Sequence, residues 1–390
     1  MKRSIVLLTF TILSVNVMNA QNSPYPPGNI QLKTDESFGK NSDWNKLSTT
    51  DESLYSAYYT RPASFVTGQD GSIYLVNNIK KELQLFDSNG NFIKTLAKIT
   101  NIAKYMTVRI AGILDNKYIV TENYNRLHIF NMDGSLFKLL YLDYSASQVV
   151  PLTENIIAIY SNIVYPGDQN KQCVILKDII SGKDMIIESI IDTLSKGSYT
   201  LKLDKQMVNI SYPYSKTNFI LNRINNDQLL VGFTSDDKLK IYSKEGQLIS
   251  TLKTNIKALA IPDSAKAEFK QKIKSYLAKI GKDADFDKKS IDEIILPSKM
   301  PFFHAIQVDD HDNILVFLYT EGKATHTASI YSSFSNIGQY IGTSTFNCDQ
   351  FKLNVNPISM CIHFGDKEIQ AIIRDGEDKK SPFKLVKFTF

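Results

Sequence analysis

Six residues have the types needed to hold a ligand at one end of a channel: Tyr59, Arg61, Tyr144, Tyr214, Phe302 and His304. Each stands just before a short apolar run, or opens one, so all six are expected to border the starts of inward strands. Aromatic faces of this kind stack on a sugar ring, and the Arg61 guanidinium can grip a peptide carboxylate in two places. Catalytic patterns are scarce beside them. Of the five histidines only His304 and His363 fall within predicted inward strands, and no acid recurs at equivalent positions. Two histidines fall short of the three protein ligands of a catalytic zinc, so structural roles are expected. Asp87-Ser88-Asn89-Gly90 has the start of a calcium loop without the bidentate glutamate that should follow, and reads as a turn. No nucleophile elbow, phosphate loop or His-Glu-x-x-His is present.

The elements that must position these residues repeat. Gln69-Asp70-Gly71 leads into Ile73-Tyr74-Leu75-Val76, then Leu83–Phe86, then Asp87-Ser88-Asn89-Gly90 and Phe92–Leu96: turn, strand, strand, tight turn, strand. A second copy centres on Met132-Asp133-Gly134, 44 residues after Gly90, a period suited to a four-stranded propeller blade. Further turn glycines fall at Gly182, Gly246 and Gly338, and a sixth copy runs over Ile358–Phe364, Glu368–Arg374 and Phe383–Phe390. The innermost strands are predicted at Ala63–Thr67, Met106–Ile110, Ser147–Val150, Phe219–Arg223, Phe303–Val308 and Ile358–His363. The last copy supplies three strands. Its fourth is expected from the N-terminal lead-in, residues 21–50, or its neighbourhood, with Ile30–Thr34 and Leu54–Tyr59 as donors, which would remove an open edge. Trp44, the single tryptophan, is expected to plug one end of the ring.

The spacing from Gly246 to Gly338 is about two periods, and the excess lies at Pro262–Pro301. There Asp263 or Ser264 caps a helix with apolar residues Phe269, Ile273, Leu277 and Ile280 at helical spacing. Its other face carries Lys266, Lys270, Lys272, Lys274 and Lys279, read as a solvated face. The fold expected is all-β: a six-bladed β-propeller of four-stranded antiparallel blades over residues 51–390, with one helical insertion at 262–301 between blades 4 and 5.

The net charge of the 390 residues is +5, with lysines and acids interspersed, which excludes nucleic acid as a partner. Met1–Ala20 has the form of a cleavable signal peptide: Lys2-Arg3, the apolar run Ile5–Val15, then Val17-Met18-Asn19-Ala20. No cysteine follows it for lipid attachment, and no later stretch is long and apolar enough to span a membrane. A periplasmic or extracellular monomer is expected. Cys173, Cys348 and Cys361 are too few for a disulfide framework; a Cys348–Cys361 bond and buried free thiols both remain open.

The recurring Asp/Asn-Gly, Ile-Tyr-Leu-Val, Leu-x-Ile/Leu-Phe and Asp-x-x-Gly resembles NHL-type repeats. Roughly residues 50–390 are similar to secreted six-bladed β-propeller proteins of Gram-negative bacteria. The stretch Ile294–Pro301 followed by Phe303–Asp309 strengthens the likeness. Catalytic relatives include lactonases, amidating lyases and strictosidine synthase-like enzymes, which hold a metal in the central channel. The resemblance thus implies, as an alternative, a metal-dependent hydrolase or lyase with calcium or zinc in that channel. The leading expectation is an exported binding or scaffold propeller without a cofactor, whose mouth meets a glycan, peptide or protein partner. Asp192-Thr193-Leu194 and Asp263-Ser264-Ala265 resemble acceptor sites for bacterial O-glycosylation, at Thr193 and Ser264.

Overall fold

The glycines that mark the repeat take the backbone conformation that only glycine adopts freely. In the computed structural model, Gly90, Gly134, Gly182 and Gly246 have φ of 77°, 88°, 76° and 82°. Gly134 shows why the type matters twice. A Cβ there would sit 1.9 Å from the carbonyl oxygen of Leu96, so the turn of one repeat nests against the last strand of the repeat before it. The structure describes residues 24–42, 63–100, 107–114, 116–122, 125–163, 171–191, 198–203, 206–211, 217–225, 227–280, 296–320, 323–332, 339–348, 362–374 and 383–390.

The chain opens with two short strands, β1 (Gly28–Gln31) and β2 (Lys33–Thr34). Blade 1 then follows as β3 (Ala63–Thr67), β4 (Ile73–Asn77), β5 (Glu82–Phe86) and β6 (Phe92–Lys98). Blade 2 is β7 (Val108–Leu114), β8 (Lys117–Glu122), β9 (Arg126–Asn131) and β10 (Leu136–Tyr141). Blade 3 is β11 (Ser145–Pro151), β12 (Ile156–Ile163), β13 (Lys171–Asp178) and β14 (Asp184–Ile191). A separate hairpin of β15 (Ser198–Leu203) and β16 (Gln206–Ser211) occupies a stretch that reads in the sequence as a long connection. Blade 4 is β17 (Phe219–Ile224), β18 (Gln228–Phe233), β19 (Lys238–Tyr242) and β20 (Leu248–Lys253). The helix α1 (Asp263–Ile280) precedes blade 5: β21 (Ala305–Val308), β22 (Ile314–Thr320), β23 (Lys323–Tyr331) and β24 (Tyr340–Asn347). Blade 6 is β25 (Ile362–Phe364), β26 (Glu368–Arg374) and β27 (Phe383–Thr389). Each blade pairs its own strands antiparallel in chain order, from the channel outwards. The molecule is a six-bladed β-propeller.

A blade buries nothing alone, because both its faces are apolar; the core is therefore divided among the seams between blades. Six clusters result, one per seam. Blades 1 and 2 share Val76, Leu83, Ile110 and Val120; blades 6 and 1 share Phe65, Leu75, Ile372 and Leu385. Burying each such side chain contributes about 1.5–3 kcal/mol. Polar bonds stitch the innermost strands across the same seams. Ser64 Oγ accepts from Ile110 N at 2.9 Å, and Gln148 bonds both the N–H and the C=O of Leu221. Asn222 donates to Ile306 O, and Thr67 of β3 donates to Gln370 Oε1 on β26, the second strand of blade 6.

The N-terminal strands do not form a blade of their own. Lys33 and Thr34 pair antiparallel with Thr389 and Phe388, giving blade 6 its fourth strand. The other donor segment, Leu54–Tyr59, and Trp44 lie outside the described residues. The sequence reading assigned four antiparallel strands to every blade. Blade 5 has a fifth, because β1 runs parallel along β24 from Gly28↔Ser344 to Gln31↔Asn347. Tyr25 anchors this strap. It is fully buried against Phe346, Phe364 and Phe390, and its hydroxyl donates to Gly365 O at 2.8 Å. Beyond β2, Phe38 lies on the Gly90 turn and Ser42 Oγ donates to Gly90 O, so the strap crosses blades 5, 6 and 1. Cys173 and Cys348 are free thiols, and Cys361 lies outside the described residues. Among those residues no helix is long and apolar enough to cross a membrane.

Candidate functional site

The six residues named from the sequence go to different places. His304 sits at the entry to β21, with Nε2 2.9 Å from Thr325 O and its ring beside Tyr319 and Phe317. A ring nitrogen facing a carbonyl oxygen must carry the proton. Burial pushes its pKa down to about 4, so the imidazole is neutral at neutral pH. Tyr144 packs on the seam of blades 2 and 3, where its hydroxyl donates to Asp184 Oδ2 at 3.1 Å. Burial, and then the Asp184 charge, pushes that hydroxyl's pKa far up. Phe302 donates its backbone N–H to Thr234 O and lines a cleft between blades 4 and 5. Tyr59, Arg61 and Tyr214 lie outside the described residues, as do Thr193 and Met1–Ala20. Ser264 is exposed in the first turn of α1.

The polar groups that suggest metal or acid–base chemistry hold the scaffold. His363 Nε2 lies 3.3 Å from Asp310 Oδ2, a contact between blades 6 and 5. Asp87 and Asp309 each bind the backbone N–H groups two and four residues on, and the side-chain amide of Asn91 or Asn313. Both carboxylates are thus consumed in closing a turn. Burial raises the Asp309 pKa to about 6. A further cluster, not visible in the sequence, joins Glu122 to His128 at 2.8 Å and to Arg126 at 3.2 Å. The Glu122 and His128 side chains are 3% and 9% exposed, so this pair supports blade 2 from inside. Among the described residues no group of three or more His, Cys, Asp or Glu is placed to hold a metal ion.

The cleft that Phe302 lines has a volume of about 380 Å³. One side is the segment leaving blade 4, Thr254–Leu259; the other is Leu318, Tyr319, Ser329, Tyr331 and Tyr340 of blade 5. No lining residue comes from an innermost strand. The site therefore lies on the flank of the ring, away from the channel wall. The helical insertion is rooted here. Its two legs bond as a short antiparallel stem, Ile261 N to Ser298 O at 2.9 Å and Met300 N to Leu259 O at 2.8 Å. Ile261 and Met300 pack with Ala265, Phe269, Leu296 and Tyr319, so the apolar face of α1 is braced on the wall of the cleft. Tyr331 forms the floor: it is buried, and its hydroxyl donates to Thr254 O at 2.5 Å. Burial pushes its pKa up to about 12, which keeps that proton in place. Tyr340 stands half exposed at the rim, 5.6 Å from the Tyr331 ring and bonded to Thr343 Oγ1.

A cleft with four aromatic side chains, hydroxyls and an amide at its edge is suited to stacking and hydrogen-bonding a small polar ring. A second cavity, about 530 Å³, lies by the turns of blades 3 and 4 and is lined by residues such as Lys183, Met185 and Lys244. It is larger but has no aromatic residue, and so no stacking surface. Of the cleft residues only Phe302 was found from the sequence. Tyr331 and Tyr340 look there like ordinary strand aromatics. The available signal was the insertion itself, since its flanking Pro262 and Pro301 mark where the repeat is interrupted.

No family model matches the sequence, and no curated protein does. The NHL-type character of the repeats is thus a likeness of pattern. Solved structures are similar to this chain at a distance. One from Bacteroides fragilis, named as an exported protein, is 11% identical over 93% of this chain and 98% of its own, with a TM-score of 0.47. A member of the DUF4221 family from Bacteroides vulgatus is 12% identical over 84% of this chain and 91% of its own, with a TM-score of 0.46. A calcium-binding regucalcin from Agrobacterium tumefaciens is 11% identical over 84% and 88%, with a TM-score of 0.39. The propeller assignment rests on the strand order alone.

Proposed function

We propose that this chain is an exported ligand-binding propeller whose site is the aromatic cleft between blades 4 and 5. One observation carries the reading: the helical interruption of the blade repeat is rooted at a cleft lined by four aromatic residues. Repeats build the frame, and a departure from the repeat commonly marks the binding face. The mouth expected from Tyr59, Arg61, Tyr144, Tyr214, Phe302 and His304 is narrowed in this proposal to Phe302 and its neighbours. His304, behind the cleft wall, serves as a support. The ligand is a glycan or a short peptide, held by stacking on Tyr340 and Phe302.

Glycan and peptide arrays probed with the purified chain test the reading. Tyr340→Ala and Phe302→Ala should each weaken a retained ligand by about tenfold, the scale of a lost aromatic contact, with the melting temperature of Tyr340→Ala unchanged. Retention that neither variant affects would move the site elsewhere. Metal analysis separates the alternative of a channel-centred hydrolase or lyase: stoichiometric calcium or zinc surviving dialysis counts for that enzyme and against a pure binder.

A further inference from the structure

The open sheet edges of blades 1 to 4 are not guarded alike. Among the described residues β6, β10, β14 and β20 each end their sheet, and each has an irregular register against the strand inside it. A lysine within an outer strand guards it against a second strand, because pairing would draw the charge out of water. β6 has Lys94 and Lys98, β10 has Lys138 and β20 has Lys253. β6 has a further guard, since Ser42 Oγ accepts from the N–H of Phe92. β14 reads DMIIESII and contains no lysine; Lys183 lies in the turn before it. It is also the longest of the four, eight residues against seven, six and six.

Both acids of β14 are paired within the chain. Asp184 accepts from Lys177 Nζ at 2.8 Å and from the Tyr144 hydroxyl at 3.1 Å. Glu188 accepts from Lys240 Nζ at 2.5 Å and from the Tyr242 hydroxyl, both on blade 4. What the strand shows to solvent is mainly apolar: Met185 is 40% exposed, Ile186 50% and Ile191 53%. The hairpin β15–β16 follows soon after, but its strands pair with each other and not with β14. An open edge with its charges compensated and no lysine is a template for another strand.

We propose that two copies of this chain pair their β14 strands antiparallel about a two-fold axis, joining the two third blades into one continuous sheet. A two-fold interface requires a surface that complements itself, and a strand edge without net charge does so. With the axis between Ile187 and Glu188, Met185 of one copy stands opposite Ile190 of the other, and Ile186 opposite Ser189. No acid then faces an acid. Paired in the same way, β6, β10 or β20 would carry lysines into the joint. The apolar side chains and the strand edge together bury about 500 Å² per copy, at the small end of specific interfaces, which suits a Kd of about 10 μM. The dimer stands in place of the monomer expected from the sequence.

Sedimentation velocity of the purified chain from about 1 μM to about 100 μM brackets that affinity. The mass should rise from one copy to two across the range, and hydrogen exchange of the β14 amides should slow in step with it. Ile186→Lys and Ser189→Lys, both at exposed positions of the strand, should each weaken the dimer by about tenfold, since each substitution enters twice across the axis. The monomer of either variant should melt as the parent does. Leu248→Lys, on the edge that Lys253 already guards, should leave the dimer intact. A single copy at every concentration overturns the proposal. So does a dimer that neither β14 variant weakens, or one that Leu248→Lys weakens as much. If the β14 amides are already protected in the monomer, another part of the same chain covers the edge, and the proposal fails.

Discussion

Blades 1 to 4 and blades 5 to 6 are built from one repeat but end differently. On the first four, the outermost strands β6, β10, β14 and β20 carry exposed apolar residues near their starts. Phe92 is 49% exposed, Leu136 53% and Leu248 54%. On blades 5 and 6 the outermost repeat strands are covered by β1 and β2; Phe346 and Phe388, late in those strands, are sealed at 1% and 0%, while Tyr340 at the start of β24 is 53% exposed. Among the described residues the outer repeat strand therefore has a further strand beside it on blades 5 and 6 and none on blades 1 to 4. Closure is concentrated where the two ends of the circle meet.

The largest test of this contrast removes the cover. Deletion of residues 24–34 should abolish cooperative thermal unfolding, because it opens two sheet edges and strips the lid from an aromatic core. Tyr25→Ala should cost about 3–5 kcal/mol in chemical denaturation. If it costs no more than a surface substitution, the strap is ornamental and the contrast fails.

Next in size is a pair of turn glycines from the uncovered half. Gly134→Ala combines positive φ with the Leu96 carbonyl in its path, and should destabilise by more than about 2 kcal/mol. Gly182→Ala meets nothing within 4 Å and should cost only the backbone strain, about 1 kcal/mol. Equal losses would show that the seam contact at Gly134 contributes nothing.

Acid should act on the covered half. His304 stays neutral in the fold down to about pH 4, whereas its unfolded form takes a proton near 6.5; its contribution is complete above 6.5 and is lost as the pH falls towards 4. Asp309 has the opposite sign. Burial disfavours its charge, so its penalty is complete above about pH 6 and disappears as the pH falls towards 3.8. The two nearly offset each other between pH 4 and 6. His304→Gln should therefore flatten the loss of melting temperature in acid, and Asp309→Asn should steepen it. Identical slopes for both variants would contradict the assignment.

The smallest expected effect completes the contrast. Leu248→Lys on the exposed start of β20 should change stability by less than about 0.5 kcal/mol. A large loss there would mean that the outer edges of blades 1 to 4 are covered in solution.

What could be read from the sequence follows from which forces are local. The turn at Gly134 was legible because positive φ demands glycine and the flanking apolar residues alternate. The helix was legible from Phe269 and Ile273 at helical spacing, and Ile273 is indeed buried. The parallel pairing of β1 was not, since the four residues Gly28–Gln31 carry no pattern that names a parallel partner, and that partner is remote. The hairpin of β15 and β16 alternates, but it lies outside the repeat and so had no register to reveal it. The cleft was least legible. Its walls join Thr254, Phe302, Tyr331 and Tyr340, which only the seam between two blades brings together.

The strap also sets a timetable. Tyr25 and the carbonyl that holds it are separated by 340 residues. At about 5–20 residues per second, a ribosome reaches Gly365 roughly 17–70 seconds after Tyr25. Until β24 is made β1 has no edge to join, β2 has none until β27 is made, and the first blades must wait as an open arc. The two strands must stay idle for different times, β1 until β24 and β2 until β27. The last strand to be synthesised thus acts as the release signal for the second.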